Sequence, residues 1–383
     1  DLVSDHNRHR LTDLWNEIRF ETRQGSGSDA VCAMRRVHLM ILVSVSLSLP
    51  GCLERIVEPA DVFGDVKQGE TYSPASTMID DWYAVEAIDP QTFAINEPKS
   101  SQYNTSYLIV GDTRAVMFDA GSGERPAGSR SMREVAAQYA GKKPITLILS
   151  HFHYDHIADA ATFDGVTLLD RPDIRAHITD QVFTITPWES VDMAWRSLKV
   201  TALIADGEVI DLGGRTLTVL NLPGHATESV VVFDRERDQV FTGDFVYRHL
   251  GGIIAFAPGA DLVAYKANSA RLLQLTNIDT QLFGAHGIPQ FGRDWLMLLD
   301  RELDKMVNGN ATYRYVAHYL APGLPWRVQQ NGDLSIYTTP LVDPHLFWST
   351  WTLVVVAAVS LLALFVLLRI VRRSFVPVRR SEL

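Results

Sequence analysis

Apolar positions in the middle of the chain recur with two distinct periods. Short runs rich in β-branched and aromatic residues, "TSYLIV", "RAVMFDAG", "PITLILS", "LTVLNLPGH", "SVVVFD", "QVFTGD" and "TQLFGAHG", predict strands. Between them "SMREVAAQYAG", "DLVAYKANSARLLQL" and "DWLMLLDRELDKMVNG" repeat apolar residues at helical spacing and predict amphipathic helices. Two of these run into a glycine, a helix stop signal. "GDTR" between the first two strands, and "QNGD" at 330–333, predict hairpin turns. The alternation has no low-complexity linker and no repeat. It predicts one layered α/β domain over residues 53–341.

The two ends carry a different pattern. Residues 1–33 are polar and aperiodic, and read as a disordered upstream extension. From Met34, two arginines precede the apolar run "VHLMILVSVSLSLPG" and then Cys52. A basic start and a short apolar core mark residues 34–52 as a secretory signal. The ending "LPGC" resembles a bacterial lipobox, which would make Cys52 a lipidation site; an ordinary signal or a short buried helix stays open. Residues 346–368, "LFWSTWTLVVVAAVSLLALFVLL", contain no charge and are long enough to cross a hydrocarbon core. Trp348 and Trp351 stand at the start, and Arg369, Arg372, Arg373, Arg379 and Arg380 follow. This predicts one transmembrane helix and a basic cytoplasmic tail, residues 369–383. The domain before it is then expected at a bacterial cell membrane, facing the periplasm or exterior.

Composition narrows the chemistry. A formal charge of −10 over 383 residues argues against a nucleic-acid partner. The only cysteines, Cys32 and Cys52, give no disulfide framework and no thiolate metal cage. Histidine is clustered instead. His151, His153, Asp155 and His156 follow the apolar run at 145–149, His225 follows "LTVLNLPG", Asp244 follows "QVFTG", and His286 follows "TQLFGA". Four strand ends thus deliver metal-type ligands, and strand ends are rigid platforms. Burying so many imidazoles without a metal would leave many polar nitrogens to satisfy. The scattered His177, His249, His318 and His345 read as ordinary core or surface residues.

"HFHYDH" matches the H-x-H-x-D-H motif, and the chain thereby resembles the metallo-β-lactamase-fold superfamily. "MFDAG" with Asp119, "PGHATES" with His225, "FTGD" with Asp244 and "GAHG" with His286 follow in that family's order, over about residues 85–310. The resemblance implies an αβ/βα four-layer sandwich with the metal site at one edge. It implies that His151, His153 and His225 hold one metal, that Asp155, His156 and His286 hold a second, and that Asp244 bridges. It places Asp119 in the outer shell, orienting a ligand. Asp155 would also shuttle a proton. Imidazole and carboxylate donors suit zinc, with iron or manganese open. A shared water would become a hydroxide nucleophile between two such metals.

An aspartate at 244 resembles the glyoxalase-II-like thioesterases, lactonases and phosphodiesterases of the family. The expected activity is hydrolysis of a small-molecule ester, thioester or lactone. β-Lactam or phosphodiester hydrolysis is the alternative enzyme, and a non-catalytic metal-binding membrane protein the alternative of another class. The segment at about 184–208 is expected to cover the site. Its Trp188 and Trp195 either line an acyl pocket or pack the segment down. Tyr247 and Arg248 are candidate substrate contacts.

Overall fold

The computed structural model describes residues 55–57, 73–192, 194–249, 252–318, 326–339, 342, 358–367 and 369. The expected signal at 34–52, with Cys52, lies outside the described residues, as do residues 346–357 of the expected membrane span and nearly all of the basic tail.

Two large sheets carry the domain. Among the described residues, the first has ten strands. A meander runs from Thr77–Met78 through Ala84–Asp89, Thr92–Glu97, Asn104–Val110 and Ala115–Phe118. Ile145–Ile148 and then Val166–Leu169 add in parallel. The second sheet has six strands, Val209–Asp211, Thr216–Asn221, Val230–Asp234, Gln239–Gly243, Gln281–Gly284 and Gln290–Gly292. The strands predicted from apolar runs are all present. "GDTR" closes the hairpin in which Val110 pairs with Ala115, and "QNGD" the one in which Asn331 pairs with Leu334.

Strand period explains the layering. In the second sheet Val219, Val230, Val232, Phe241 and Phe283 belong to the core shared with the first sheet. Their neighbours Leu220, Val231, Phe233, Val240 and Leu282 belong to a separate core. Successive side chains face opposite ways, so both faces of the sheet are covered. The outer core is completed by two helices. Leu262–Leu275 starts at Asp261, whose carboxylate accepts from the amides of Val263 and Ala264. Arg293–Val307 buries Trp295, Leu296, Leu299, Leu303 and Met306. On the first sheet, helix Met132–Ala140 begins in a capping box between Ser131 and Glu134 and buries Met132, Val135, Ala136 and Ala140. The result is a mixed α/β, helix–sheet–sheet–helix arrangement.

Three features depart from the expected plan. First, the segment at 184–208 contains the end of one strand and the whole of another. Val182–Ile185 pairs antiparallel with Arg196–Ile204, which pairs in parallel with Val166–Leu169 and extends the first sheet. The polar–apolar alternation of "RSLKVTALI" is a half-buried strand, and the stretch between the two strands, with Trp188 and Trp195, is loop. Second, a third sheet, of five strands among the described residues, joins Arg55–Val57, Tyr313–His318, Trp326–Asn331, Leu334–Thr338 and Ile253–Ile254. Third, among the described residues no helix is long and apolar enough to cross a membrane. The described part of 346–368 is helical over 358–367, with Val359, Leu361, Leu362 and Leu364 exposed.

The two large sheets are joined through Arg215, which is ion-paired within the second sheet. Arg215 Nε donates to Asp234 Oδ2 at 2.6 Å, and both side chains are almost wholly buried. The same guanidinium donates to Thr92 Oγ1 at 2.8 Å and to the carbonyl of Gln91 at 3.0 Å, on the first sheet. Removing one partner of such a pair strands a charge in the core. Arg215→Ala is therefore expected to lower unfolding free energy by about 3–5 kcal/mol. Urea unfolding checks this, and the double variant Arg215→Ala/Asp234→Ala should recover part of the loss.

Candidate metal centre

Every ligand-type residue sits where a strand stops. Beyond Ile145–Ile148 the chain runs through His151 to His153, the extended residue that opens the short helix Tyr154–Ile157 carrying Asp155 and His156. His225 lies in a turn held by Ser229, whose hydroxyl accepts from the Ala226 amide at 3.1 Å. The two sheets' loops are stitched together, with the Val230 amide donating to the Ser150 carbonyl at 2.7 Å. Asp244 follows Gly243, which has φ +52° and where a Cβ would lie 2.4 Å from the Ser150 Cβ. Only glycine lets Asp244 come this close to the His151 loop.

The seven residues converge, and all are buried. Three groups each bring ligand atoms within 4.8 Å of one another: His151, His153 and His225; His151, His156 and Asp244; and Asp155, His156 and His286. Asp244 stands between them. Its Oδ2 is 3.5 Å from His225 Nε2 and 4.0 Å from His151 Nε2. Its Oδ1 is 3.0 Å from His286 Nε2 and 3.4 Å from His156 Nε2. Asp155 Oδ2 is 3.6 Å from both His156 Nε2 and His286 Nε2.

Outer contacts fix which nitrogen points inward. His156 Nδ1 donates to Asp119 Oδ2 at 2.9 Å, His225 Nδ1 to the Ile254 carbonyl at 2.7 Å, and His286 Nδ1 to the Gln102 carbonyl at 3.1 Å. Each Nε2 lone pair is thereby turned to the centre. Asp119 also accepts from the Ser150 amide at 2.6 Å, and holds φ +71°, a conformation aspartate tolerates better than most residues. Ser150 Oγ lies 2.9 Å from His151 Nδ1. The Nε2 atoms of His151 and His156 are buried with no hydrogen-bond partner. Orphaned imidazole nitrogens facing buried carboxylates fit a divalent cation, and the cysteine-free donor set is that of a borderline or hard ion.

The protonation pattern agrees. Burial holds His151 and His153 well below the ordinary histidine pKa, and their neighbouring imidazoles add to this. Burial also lowers His225, against the pull of Asp244. His156 goes the other way: burial opposes its charge, but Asp155, Asp244 and Asp119 together hold it well above the ordinary value. His286 is raised similarly, burial again being outweighed, here by Asp244 and Asp155. For Asp244 burial favours the neutral acid, yet His286 and His156 hold it well below the carboxylate range. The carboxylates demand positive charge. The same carboxylates favour positive charge on His156 and His286, and a bound cation would supply it in their place.

Other residues singled out in the sequence are placed differently. Tyr247 is buried; its hydroxyl accepts from the Ile254 amide at 2.8 Å and its ring meets His286 edge-on at 5.0 Å. Arg248 lies over the Trp295 ring at 5.2 Å. Both are engaged by the shell around the ligands. Trp188 and Trp195 are 69% and 68% exposed, so neither packs the segment onto the domain. The Ser190 carbonyl between them accepts from the Tyr154 amide at 3.0 Å, which ties their loop to the ligand helix. His177 is exposed near Glu189, whereas His249 is buried with its ring 6.4 Å from that of His286. The His318 side chain and His345 lie outside the described residues. Several residues of the shell had no sequence signal. Gln102 and Asn104 contact Asp155, and Ile254 acts through its backbone alone. The Glu228 carboxylate, which burial pushes up to about 7, accepts from the Phe152 amide.

The profile of the Metallo-beta-lactamase superfamily matches residues 102–318, and the chain belongs to that superfamily. An acyl-coenzyme A thioesterase of Homo sapiens, MBLAC2, is 29% identical over 219 residues, covering 51% of this chain and 77% of its own. The atrochrysone carboxyl ACP thioesterase of Aspergillus fumigatus is 27% identical over 150 residues, covering 39% of this chain and 41% of its own. Among solved structures, a metallo-beta-lactamase from Pontibacter korlensis matches with a TM-score of 0.44 and 18% identity, covering 58% of this chain and 99% of its own.

Asp119 touches no other candidate ligand but His156, so its loss tests the outer shell alone. Asp119→Ala is expected to weaken binding of a divalent metal by about 10–100-fold. Titration against a competing chelator measures this, and a variant with unchanged affinity would leave Asp119 a purely backbone role at Ser150.

Proposed function

We propose that this protein is a dinuclear metal-dependent hydrolase, with zinc as the metal, acting on an acyl thioester. One observation carries the two-metal reading: the Asp244 carboxylate lies between two histidine sets, with His225 Nε2 3.5 Å from Oδ2 on one side and His286 Nε2 3.0 Å from Oδ1 and 3.2 Å from Oδ2 on the other. The thioester preference is supported by the relatives named above, two of which bear thioesterase names. Esters and lactones are the neighbouring chemistries of the same site. Bound there, two divalent ions would supply a Lewis acid and a water of lowered pKa.

The chain's own residues divide the remaining work. Asp244 holds the two ligand sets at a common separation. Asp119 fixes the ring of His156, and Ile254 that of His225. Asp155, next to His156 and His286, is assigned transfer of a proton to the departing group. Burial of all seven side chains keeps bulk water from competing with their mutual contacts.

The full-length chain is expected to bind about two metals, the number a bridged pair requires. It should hydrolyse acyl thioesters faster than an acyl-lactone, nitrocefin or bis-nitrophenyl phosphate. Asp244→Ala should lower turnover by roughly 100-fold or more, since even an outer-shell partner is worth 10–100-fold, and should lower metal content with it. One metal per wild-type chain would sink the two-metal reading. Near-normal rates in Asp244→Ala would make Asp244 a turn residue.

We also propose that residues 346–368 cross a membrane, with the arginines after them inside. The metal centre would then meet its thioester on the periplasmic or exterior side, which disfavours cytosolic coenzyme A esters. A reporter fused after Leu383 is expected to behave as cytoplasmic, and one after Pro344 as exported. A domain digested by protease only after spheroplast lysis would reverse this topology and restore cytosolic thioesters as substrates.

A further inference from the structure

The turn that precedes strand Asn104–Val110 holds one half of the metal centre. Ser100 organises it: its amide and hydroxyl both donate to the Glu97 carbonyl, and its hydroxyl accepts from the Asn104 amide at 2.9 Å. Tyr103, a buried aromatic residue, is forced to φ +50°, a conformation that disfavours side chains of this size. The strain is held by contacts across the two sheets. The Thr105 amide donates to the Ala285 carbonyl at 2.7 Å, and the Gly287 amide to the Tyr103 carbonyl at 3.3 Å.

The outcome is that Gln102 reaches ligands delivered by different sheets. Its carboxamide nitrogen donates to Asp155 Oδ2 at 3.0 Å and to Tyr154 Oη at 2.9 Å. Both amide protons are thus used, and the reversed amide would set oxygen against carboxylate. Its main-chain carbonyl accepts from His286 Nδ1 at 3.1 Å. Asp155 comes from the helix after Ile145–Ile148, and His286 from the end of Gln281–Gly284. Asn104 adds a second amide on Asp155, donating to its carbonyl at 3.0 Å and to Oδ2 at 3.2 Å. No such residue serves His151, His153 and His225, whose outer contacts, among the described residues, come from Ser150 and Ile254.

We propose that Gln102 is a positioning residue for one metal of the pair: it sets the separation of Asp155 and His286, and so the affinity of the group Asp155, His156 and His286. This rests on the two-metal reading. Two amides on one carboxylate oxygen hold Asp155 as a pointed anion rather than a rotating one. Without them its oxygens sample other directions, and binding a cation would have to restore the order.

The test is a metal titration of the apo full-length chain with Co²⁺, followed by its visible absorption, and with Zn²⁺ against a competing chelator. Wild type should show two binding events. In Gln102→Leu, which keeps the bulk and removes the donor, one event should weaken by about 10–100-fold. The other event and the spectrum of its ion should stay as in wild type. Gln102 is half-buried, and Gln102→Ala, which cannot overpack, should behave alike. Two events of unchanged affinity in both variants would overturn the proposal, as would equal weakening of both events. A single event in wild type would instead remove the two-metal reading beneath it.

Discussion

A buried carboxylate among buried imidazoles is the constraint on which this structure turns. Asp244 is 6% exposed and lies within 3.0–4.0 Å of Nε2 atoms from His151, His156, His225 and His286. Neither the charge nor the imidazoles could sit there on hydrophobic grounds. The arrangement persists only if each ring is held by its outer nitrogen and if positive charge is supplied to the centre. Much of the local chain is shaped by that requirement: the glycine at 243, the left-handed Asp119, and carbonyls of Ile254 and Gln102 aimed at ring nitrogens.

The same requirement explains why two sheets are needed. His151, His153, Asp155 and His156 come from the first, and His225, Asp244 and His286 from the second. Loops from separate sheets drift apart unless something fixes both ends of the sandwich. At the metal edge the Val230–Ser150 and Thr105–Ala285 hydrogen bonds close the gap. At the other end of the second-sheet strands, Arg215 spans Asp234 and the first-sheet residues Gln91 and Thr92. The apolar core between them, with Phe118, Phe241 and Phe283 fully buried, sets the spacing. A buried ion pair of this kind adds little net stability over an apolar pair but penalises any slip that separates its members.

Legibility followed the physics of side chains. The period-two runs showed every strand that ends at a ligand, and the ligand clustering showed which ends converge. Three kinds of information left no mark. Backbone contacts are silent in sequence, so Ile254 looked like any apolar residue. Gln102 and Asn104 lie in a polar turn where amides are commonplace, and their relation to Asp155 depends on a fold that brings residues some fifty positions apart into contact. Tyr247 and Arg248 were plausible substrate contacts because they follow Asp244 closely. In the fold the Tyr247 hydroxyl accepts from the Ile254 amide and the Arg248 guanidinium lies over the Trp295 ring. The strand at 196–204 is legible in its sequence as polar–apolar alternation.

The third sheet changes what counts as the catalytic unit. The family profile ends at residue 318, yet Ile253–Ile254 pairs with Ile336 and Tyr337 of the strand beyond it. Ile254 is where that sheet meets the metal centre. Its carbonyl holds His225 and its amide donates to Tyr247, whose ring lies against His286. One residue therefore holds His225 directly and supports the neighbour of His286, Tyr247, through its second main-chain group. Its backbone is kept in line by a strand pair some eighty residues downstream, with Trp326 and Phe256 packed at 4.0 Å beside it. A two-residue strand cannot hold itself. The orientation of His225 thus depends on residues 326–338, and the C-terminal sheet belongs to the ligand shell as surely as Asp119 does.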